Sequence, residues 1–365
     1  MKKLTNWIKN HQIAAFYLIA FAITYGLGFS YDAVLNRDQG FWLPIVFLAL
    51  CGPAFAGIIV SAVANPQPKQ GSRRSFWIAF GVAWPVSLAV YLANFKFIEQ
   101  ASLSPILLGV FAISVLPVAF VIAAAFSRNL AVRRYLSSMV RLRGVWGWAL
   151  LGLLLVPFLI VVSIPLSRLF GVQAYPDFQF PEISLTLIGL AVVKFFYQLF
   201  FFNTTAEEIG WRGFVMPRLQ ARTSPLLAAL LIGVIWAPWH FLFWQADGDP
   251  VLTVEFWAMM LIAHSLLSVL IVWICNRARG NILVAGITHA ATNTVQMFVP
   301  AVNLFLVVLL VAALLVVLLD RMWKKLPSGH PAVYQSRTAV RHSQNVYVTP
   351  AVEQDKLVTM EVSDV

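Results

Sequence analysis

Apolar runs long enough to cross a bilayer dominate this chain. A spanning helix needs about 20 mostly apolar residues. Stretches near 12–30, 41–63, 76–94, 105–127, 147–169, 183–206, 224–246, 254–275, 281–299 and 301–319 meet that need. Of the 365 residues, 60% are hydrophobic and 11% charged, and the mean hydropathy is +0.80. A water-soluble domain has too little interior to hide so much apolar surface. The expected fold class is therefore all-α: a polytopic helical membrane protein of about ten transmembrane helices, with membrane lipids as its immediate partners.

The connections between these runs carry a second signal. Lys2, Lys3 and Lys9 precede the first run, and Lys69, Arg73 and Arg74 follow the second. Arg128, Arg133, Arg134, Arg141 and Arg143 follow the fourth, and Arg212, Arg218 and Arg222 the sixth. Arg277 and Arg279 follow the eighth, and Arg321, Lys324 and Lys325 the last. The intervening connections are poor in bases: Arg37 accompanies two acids, Lys96 and Arg168 stand alone, and "QADGDP" has none. Such alternation is what the positive-inside rule requires, and it places both termini in the cytoplasm. The net charge of +11 is read as loops that fix topology and touch anionic lipid, with no nucleic acid as a partner. The opening "MKKLTNWIKNHQIAAFYLIAFAITYGLGFS" has the basic start of a signal peptide. Its apolar run is too long for one and lacks an A-x-A site, so an uncleaved first span is expected, in a bacterial cell membrane.

Three regions follow. Residues 1–182 hold about five N-terminal spans, 183–320 form a membrane domain that holds the polar residues, and 321–365 are a polar cytoplasmic tail read as disordered. Cys51 and Cys275 both lie inside apolar runs, far apart, and are expected to be buried and reduced.

Ionisable side chains within spans are expensive, about 2.5 kcal/mol or more at the centre for Asp, Lys or Arg. The first five spans hold essentially none. The second half holds Lys194, Glu207, Glu208, Arg212, His240, His264 and His289. If the sixth helix continues through Arg212, Glu208 and Arg212 face each other at i,i+4 and offset part of each other's burial cost. Glu207 lies about 100° around the helix and is left for other work. His240 has Trp236 one turn before it, and His289 has Asn293 one turn after it. A carboxylate, two imidazoles and an amide donor are the groups that hydrolysis needs. His264 is read as a packing group, and Lys194 is assigned no chemistry. On these limits Glu207 is near the basic end of its span while His240 is deeper than mid-membrane. Either the sixth helix extends through Arg212 within a cavity, or the seventh is tilted or kinked at Pro238.

The ordered set "EEIGWR" (207–212), "WAPWH" (236–240) and "HAATN" (289–293) resembles the CAAX-protease and bacteriocin-processing family, the intramembrane endopeptidases that include the type II CAAX prenyl proteases. The family pattern is E-E-x-x-x-R, F-x-x-x-H and H-x-x-x-N or B, and the resemblance covers roughly residues 185–300. Trp236 departs from it, standing where the family usually has Phe. The resemblance implies that Glu207 activates water with help from His240, that His289 and Asn293 polarise the scissile carbonyl or hold the oxyanion, and that Glu208 with Arg212 holds the glutamates in place. It implies as substrate a peptide or lipidated protein. Two histidines and a glutamate also match a three-ligand site for a divalent metal such as zinc, through Glu207, His240 and His289. The motif leaves this open beside a metal-free glutamate mechanism. A transporter or permease that uses the same groups for proton or cation coupling is the alternative, although a pathway would place polar residues in both halves. No H-E-x-x-H, G-x-G-D or G-x-S-x-G motif of other protease classes occurs.

Overall fold

Helix after helix runs between two faces, and one face collects the basic ends. The computed structural model describes residues 2–34, 43–66, 69–172, 178–246, 251, 253–300, 302 and 304–335. Helix α1 (Lys2–Asn10) leads into α2 (Gln12–Val34), α3 (Leu43–Leu50) and α4 (Gly52–Ala64). After these come α5 (Arg73–Phe97), α6 (Pro105–Ser114), α7 (Leu116–Ala124), α8 (Leu130–Leu136) and α9 (Trp146–Leu169). Helix α10 (Leu185–Tyr197) passes through a π-helical stretch (Gln198–Val215) into α11 (Met216–Gln220). The chain ends with α12 (Pro225–Trp239), α13 (Phe241–Ala246), α14 (Val254–Arg277), α15 (Ile282–Val295) and α16 (Leu304–Leu319). Among the described residues there is no strand, only an isolated bridge between Lys69 and Asn129.

This is an all-α polytopic membrane protein. Six helical segments are long and apolar enough to cross a membrane, or eight if each of two bent pairs is one span. The bent pairs are α1 with α2, at 109°, and α3 with α4, at 52°. Helices α15 and α16 correspond to the last two apolar runs but have only 14 and 16 residues, short of the usual spanning length. Large apolar side chains such as Ile106, Trp146, Phe158, Leu185 and Leu318 are more than 60% exposed. In water such a surface would be a liability, whereas against lipid it is neutral.

The starts of the helices around the polar cluster are written locally. Ser184, Ser224, Thr253 and Asn281 each accept a hydrogen bond from a backbone N–H three residues on, at the entrances of α10, α12, α14 and α15. These caps satisfy donors that the first helical turn leaves free. The sixth apolar run goes further than its expected limit of 206: α10, the π stretch and α11 form one 36-residue segment, Leu185–Gln220. Glu207 is therefore inside a helix, level with His240, which removes the conflict in depth. Helix α12 ends at Trp239, just after Pro238, and His240 lies at the break before α13.

Residues 321–335, the first part of the expected polar tail, pack across the basic face. Ala332 is fully buried, Tyr334 Oη donates to Asn65 Oδ1 at 3.2 Å, and Arg218 lies 4.2 Å over the Tyr334 ring. Burial lowers the pKa of His330 on this face. Residues 336–365 lie outside the described residues. Cys51 and Cys275 are free and buried.

Close packing of α4 on the π stretch depends on Gly210, inside the E-E-x-x-x-R motif. A Cβ there would come within 2.5 Å of Pro53 Cβ and 2.9 Å of its backbone C and O. Gly210→Ala is expected to lower stability by about 1–3 kcal/mol, as overpacking does, measured by thermal unfolding in detergent. Gly189→Ala in the same segment, with nothing within 4 Å, is expected to leave stability unchanged or slightly raised. Equal stability of the Gly210→Ala protein and its parent would refute the contact.

Candidate active site

The polar cluster is built from the π stretch, α12 and α15, with α14 alongside. Turns closed by i→i+5 hydrogen bonds are rare and recur at functional sites. Here the pattern ends where Met216 N–H donates to Trp211 O. Tyr135 Oη donates to Ile209 O at 2.5 Å and so anchors the segment from α8 at the motif itself.

Arg212 Nη1 donates to Glu208 Oε1 at 2.8 Å, with both side chains at 0% exposure. The same oxygen lies 3.0 Å from His289 Nδ1. A carboxylate accepts, so Nδ1 carries the hydrogen, and Glu208 sets the tautomer of His289. The Arg212 guanidinium also lies 4.6 Å over the Trp236 ring, a contact that a planar cation makes well in a dry site.

Glu207 is held differently. Its Oε2 accepts from Trp236 Nε1 at 2.6 Å and lies 3.6 Å from His240 Nε2, too far for a direct hydrogen bond. His240 Nδ1 lies 3.0 Å from Trp236 O. A carbonyl only accepts, so Nδ1 is the donor and Nε2 is turned toward Glu207. The residue that departs from the family pattern thus makes a bond to Glu207 that Phe cannot make.

Glu207, His240 and Asn293 line one cavity of about 340 Å³, within the size range of small-ligand sites. Leu27, Ile45, Val46, Phe202 and Leu242 form much of its wall. Trp239 Nε1 donates to Thr24 Oγ1 at 3.0 Å and Thr24 Oγ1 to Ala49 O at 2.8 Å, tying α12, α2 and α3 together beside it. The structure therefore brings all six residues singled out in the sequence into one region, with Glu207, His240 and Asn293 on the cavity and Glu208, Arg212 and His289 behind them.

Two features escape a reading by motif. His264, read as a packing group, has its ring 5.1 Å from that of His240 and 4.8 Å from that of Trp236. Its Nδ1 lies 2.8 Å from Met260 O, the same tethering as in His240. A lone histidine in an apolar helix gives no spacing signal of this. Buried polar atoms without a partner also gather here, among them Glu208 Oε2, Arg212 Nη2 and both amide atoms of Asn203, one turn before Glu207. These atoms keep hydrogen-bonding capacity that the Glu208–Arg212–His289 contacts do not use.

His289 Nδ1 is bonded to Glu208 and His240 Nδ1 to a carbonyl, which leaves the Nε2 atom of each ring free. Among the described residues no three His, Cys, Asp or Glu side chains converge as ligands.

Arg212→Leu would leave Glu208 buried with His289 alone. It is expected to destabilise the protein by about 3–5 kcal/mol, as the loss of one partner of a buried pair does. Glu208→Leu/Arg212→Leu is expected to be less harmful than the single change. Denaturant unfolding in detergent checks the order, and a double variant worse than Arg212→Leu would contradict it.

Residues 188–295 match the sequence pattern of the family described as type II CAAX prenyl endopeptidase Rce1-like. A stretch of 148 residues is 32% identical to the protein named CAAX prenyl protease 2 of Methanococcus maripaludis, covering 39% of this chain and 53% of that protein. The chain thus spans about half the length of the curated relative it matches. Residues 188–295, the segment that carries all three motifs and the polar cavity residues Glu207, His240 and Asn293, are thus similar to the Rce1-like type II CAAX prenyl endopeptidases.

Proposed function

We propose that this protein is an intramembrane endopeptidase in which Glu207 activates water to hydrolyse a peptide bond of a membrane-held peptide or lipidated protein. The observation that carries this reading is the division between two adjacent carboxylates. Glu208 is consumed by Arg212 and His289, whereas Glu207 faces the cavity with one oxygen steadied by Trp236.

A water between Glu207 Oε2 and His240 Nε2 would have an acceptor on each side. Glu207 takes a proton as the water attacks the scissile carbonyl carbon. The C–O bond forms, and the carbonyl oxygen becomes an oxyanion. Asn293 lines the cavity and offers an amide donor to that oxygen. His289, one turn before Asn293 on α15 and held by Glu208 through Nδ1, steadies the helix that carries this donor. Donors fixed in a water-poor site stabilise developing charge strongly. The proton then passes to the leaving nitrogen as the C–N bond breaks, with His240 placed to relay it. The largely apolar cavity wall suits an apolar side chain or lipid chain near the scissile bond, in keeping with the name of the Methanococcus relative. A transporter would need its polar groups to continue toward both faces, but on the basic side of Arg212 the helix is packed with Phe214, Val215 and Met216, all fully buried.

A quenched-fluorescent peptide pool, with and without a lipidated cysteine, tests the reading on detergent-purified protein. Glu207→Gln is expected to lower cleavage by roughly 10²–10⁴-fold, the usual worth of a general base, with thermal stability unchanged. Trp236→Phe keeps a ring but loses the N–H. Loss of a hydrogen bond to a charged group, about 1.5–3 kcal/mol, is expected to appear in kcat more than in KM. A strong chelator is expected to leave cleavage unchanged. Full activity in Glu207→Gln would remove Glu207 as the base, and no cleavage by the parent would return the transporter reading.

A further inference from the structure

We propose that a second cavity, on the basic face at the corner between α1 and α2, binds the phosphate group of an anionic membrane lipid. It has a volume of about 920 Å³ and shares no lining residue with the cavity that holds Glu207. The site is therefore separate from the hydrolase reading.

Charge points to an anion. Lys9, Arg218, Arg222 and Lys325 line this cavity, and no acid does. Arg218 is the least exposed of the four, at 9%. Its Nε donates to Gln12 Oε1 and its Nη1 to Phe214 O, both at 2.9 Å. The guanidinium lies over the rings of Phe214 and Tyr334, at 3.5 and 4.2 Å. All of these partners are neutral. Among the described residues no carboxylate pairs with Arg218, whereas Arg212 is buried against Glu208. A buried charge is costly unless an opposite charge meets it. Arg218 has hydrogen bonds but no counter-charge, and a guanidinium fork matches the oxygens of a phosphate.

An unused donor points the same way. Tyr17 also lines the cavity, and its hydroxyl is buried without a hydrogen-bond partner. Buried hydroxyls are seldom left so. A phosphate oxygen in the cavity gives this one an acceptor.

Position points to a lipid as the source of the phosphate. Helix α1 meets α2 at 109°, so α1 runs close to the membrane plane where α2 crosses it. It carries Lys2, Lys3 and Lys9 together with exposed Leu4 and Trp7, the mixed character of a helix that lies in the interface. Lys9 and Gln12 flank the corner and so stand at the level of the headgroups. From there Ile13 and Ala14 line the cavity, and Leu18, one turn beyond Ala14, is exposed. An acyl chain can follow this apolar strip while its phosphate stays with Arg218. Basic pockets of this kind between spans suit anionic headgroups.

Titration calorimetry on the full-length protein in a neutral detergent tests the site without relying on catalysis. The probes are dioctanoyl phosphatidylglycerol, dioctanoyl phosphatidylcholine and inorganic phosphate. Phosphatidylglycerol is expected to bind at least tenfold more tightly than phosphatidylcholine, and inorganic phosphate to bind weakly and compete with it. Arg222→Gln/Lys325→Gln, at two exposed positions, is expected to weaken phosphatidylglycerol roughly tenfold or more. Tyr17→Phe removes a hydroxyl that has no partner in the lipid-free protein. It is expected to leave lipid-free thermal stability unchanged or slightly raised, and to weaken phosphatidylglycerol roughly ten- to hundredfold, the worth of a hydrogen bond to a charged group. Equal binding of the two lipids, or undiminished binding in either variant, would overturn the site. Inorganic phosphate that binds as tightly as phosphatidylglycerol would overturn the lipid as its source. Residues 336–365 include Glu353, Asp355, Glu361 and Asp364. Lipid binding that emerges only when these four are changed to their amides would make that segment the occupant and overturn the lipid as well.

Discussion

Glu208 and Arg212 meet at 2.8 Å where neither touches solvent, and the rest of the site is arranged around that contact. Two opposite charges attract strongly in a medium of low dielectric, but each also loses its hydration. The pair persists because further groups share the load. His289 adds a hydrogen bond to the same carboxylate oxygen, and the indole face of Trp236 lies under the guanidinium. Three elements are joined by this: the π stretch supplies the pair, α15 the imidazole and α12 the indole. Their mutual position is therefore set by electrostatics in a region where apolar packing alone is permissive.

That arrangement also separates the roles of two adjacent acids. Glu208 has its charge matched and its geometry locked. Glu207, on a different side of the helix, accepts one indole N–H and faces the cavity. Trp236 touches both: its ring carries Arg212 and its nitrogen binds Glu207. One side chain thus couples the structural pair to the reactive group, and the imidazoles of His240, His264 and His289 surround it at ring separations of 4.8–5.6 Å.

The surrounding helices close up beside the cavity and stand apart at it. Small residues let backbones approach where the site is closed. Gly210 meets Pro53, and a Cβ at Gly286 would lie 1.9 Å from Thr204 Oγ1. Such approaches are the usual way for helices to associate in lipid, where apolar side chains gain little by leaving their surroundings. Around the cavity, longer residues from α2, α3, the π stretch and α13 stand apart instead.

Much was legible in the residues themselves. The apolar runs dictated a helical membrane protein, because lipid offers the backbone no other partner than itself. The spacing of Glu208 and Arg212 allowed their pairing, since neighbours at one turn share a helix face. What spacing could not supply was how far a helix continues. The extension of the sixth segment to Gln220 depends on tertiary contacts that cover its polar residues. Nor did the pattern reveal that the indole of Trp236 binds Glu207, that His264 joins the ring cluster, or that residues 321–335 pack against the basic face. Those facts depend on groups far apart in the chain meeting in space. Local sequence determines which helices form and which charges they must bury. Only the packed structure decides which partners those charges find, and which of them line the cavity.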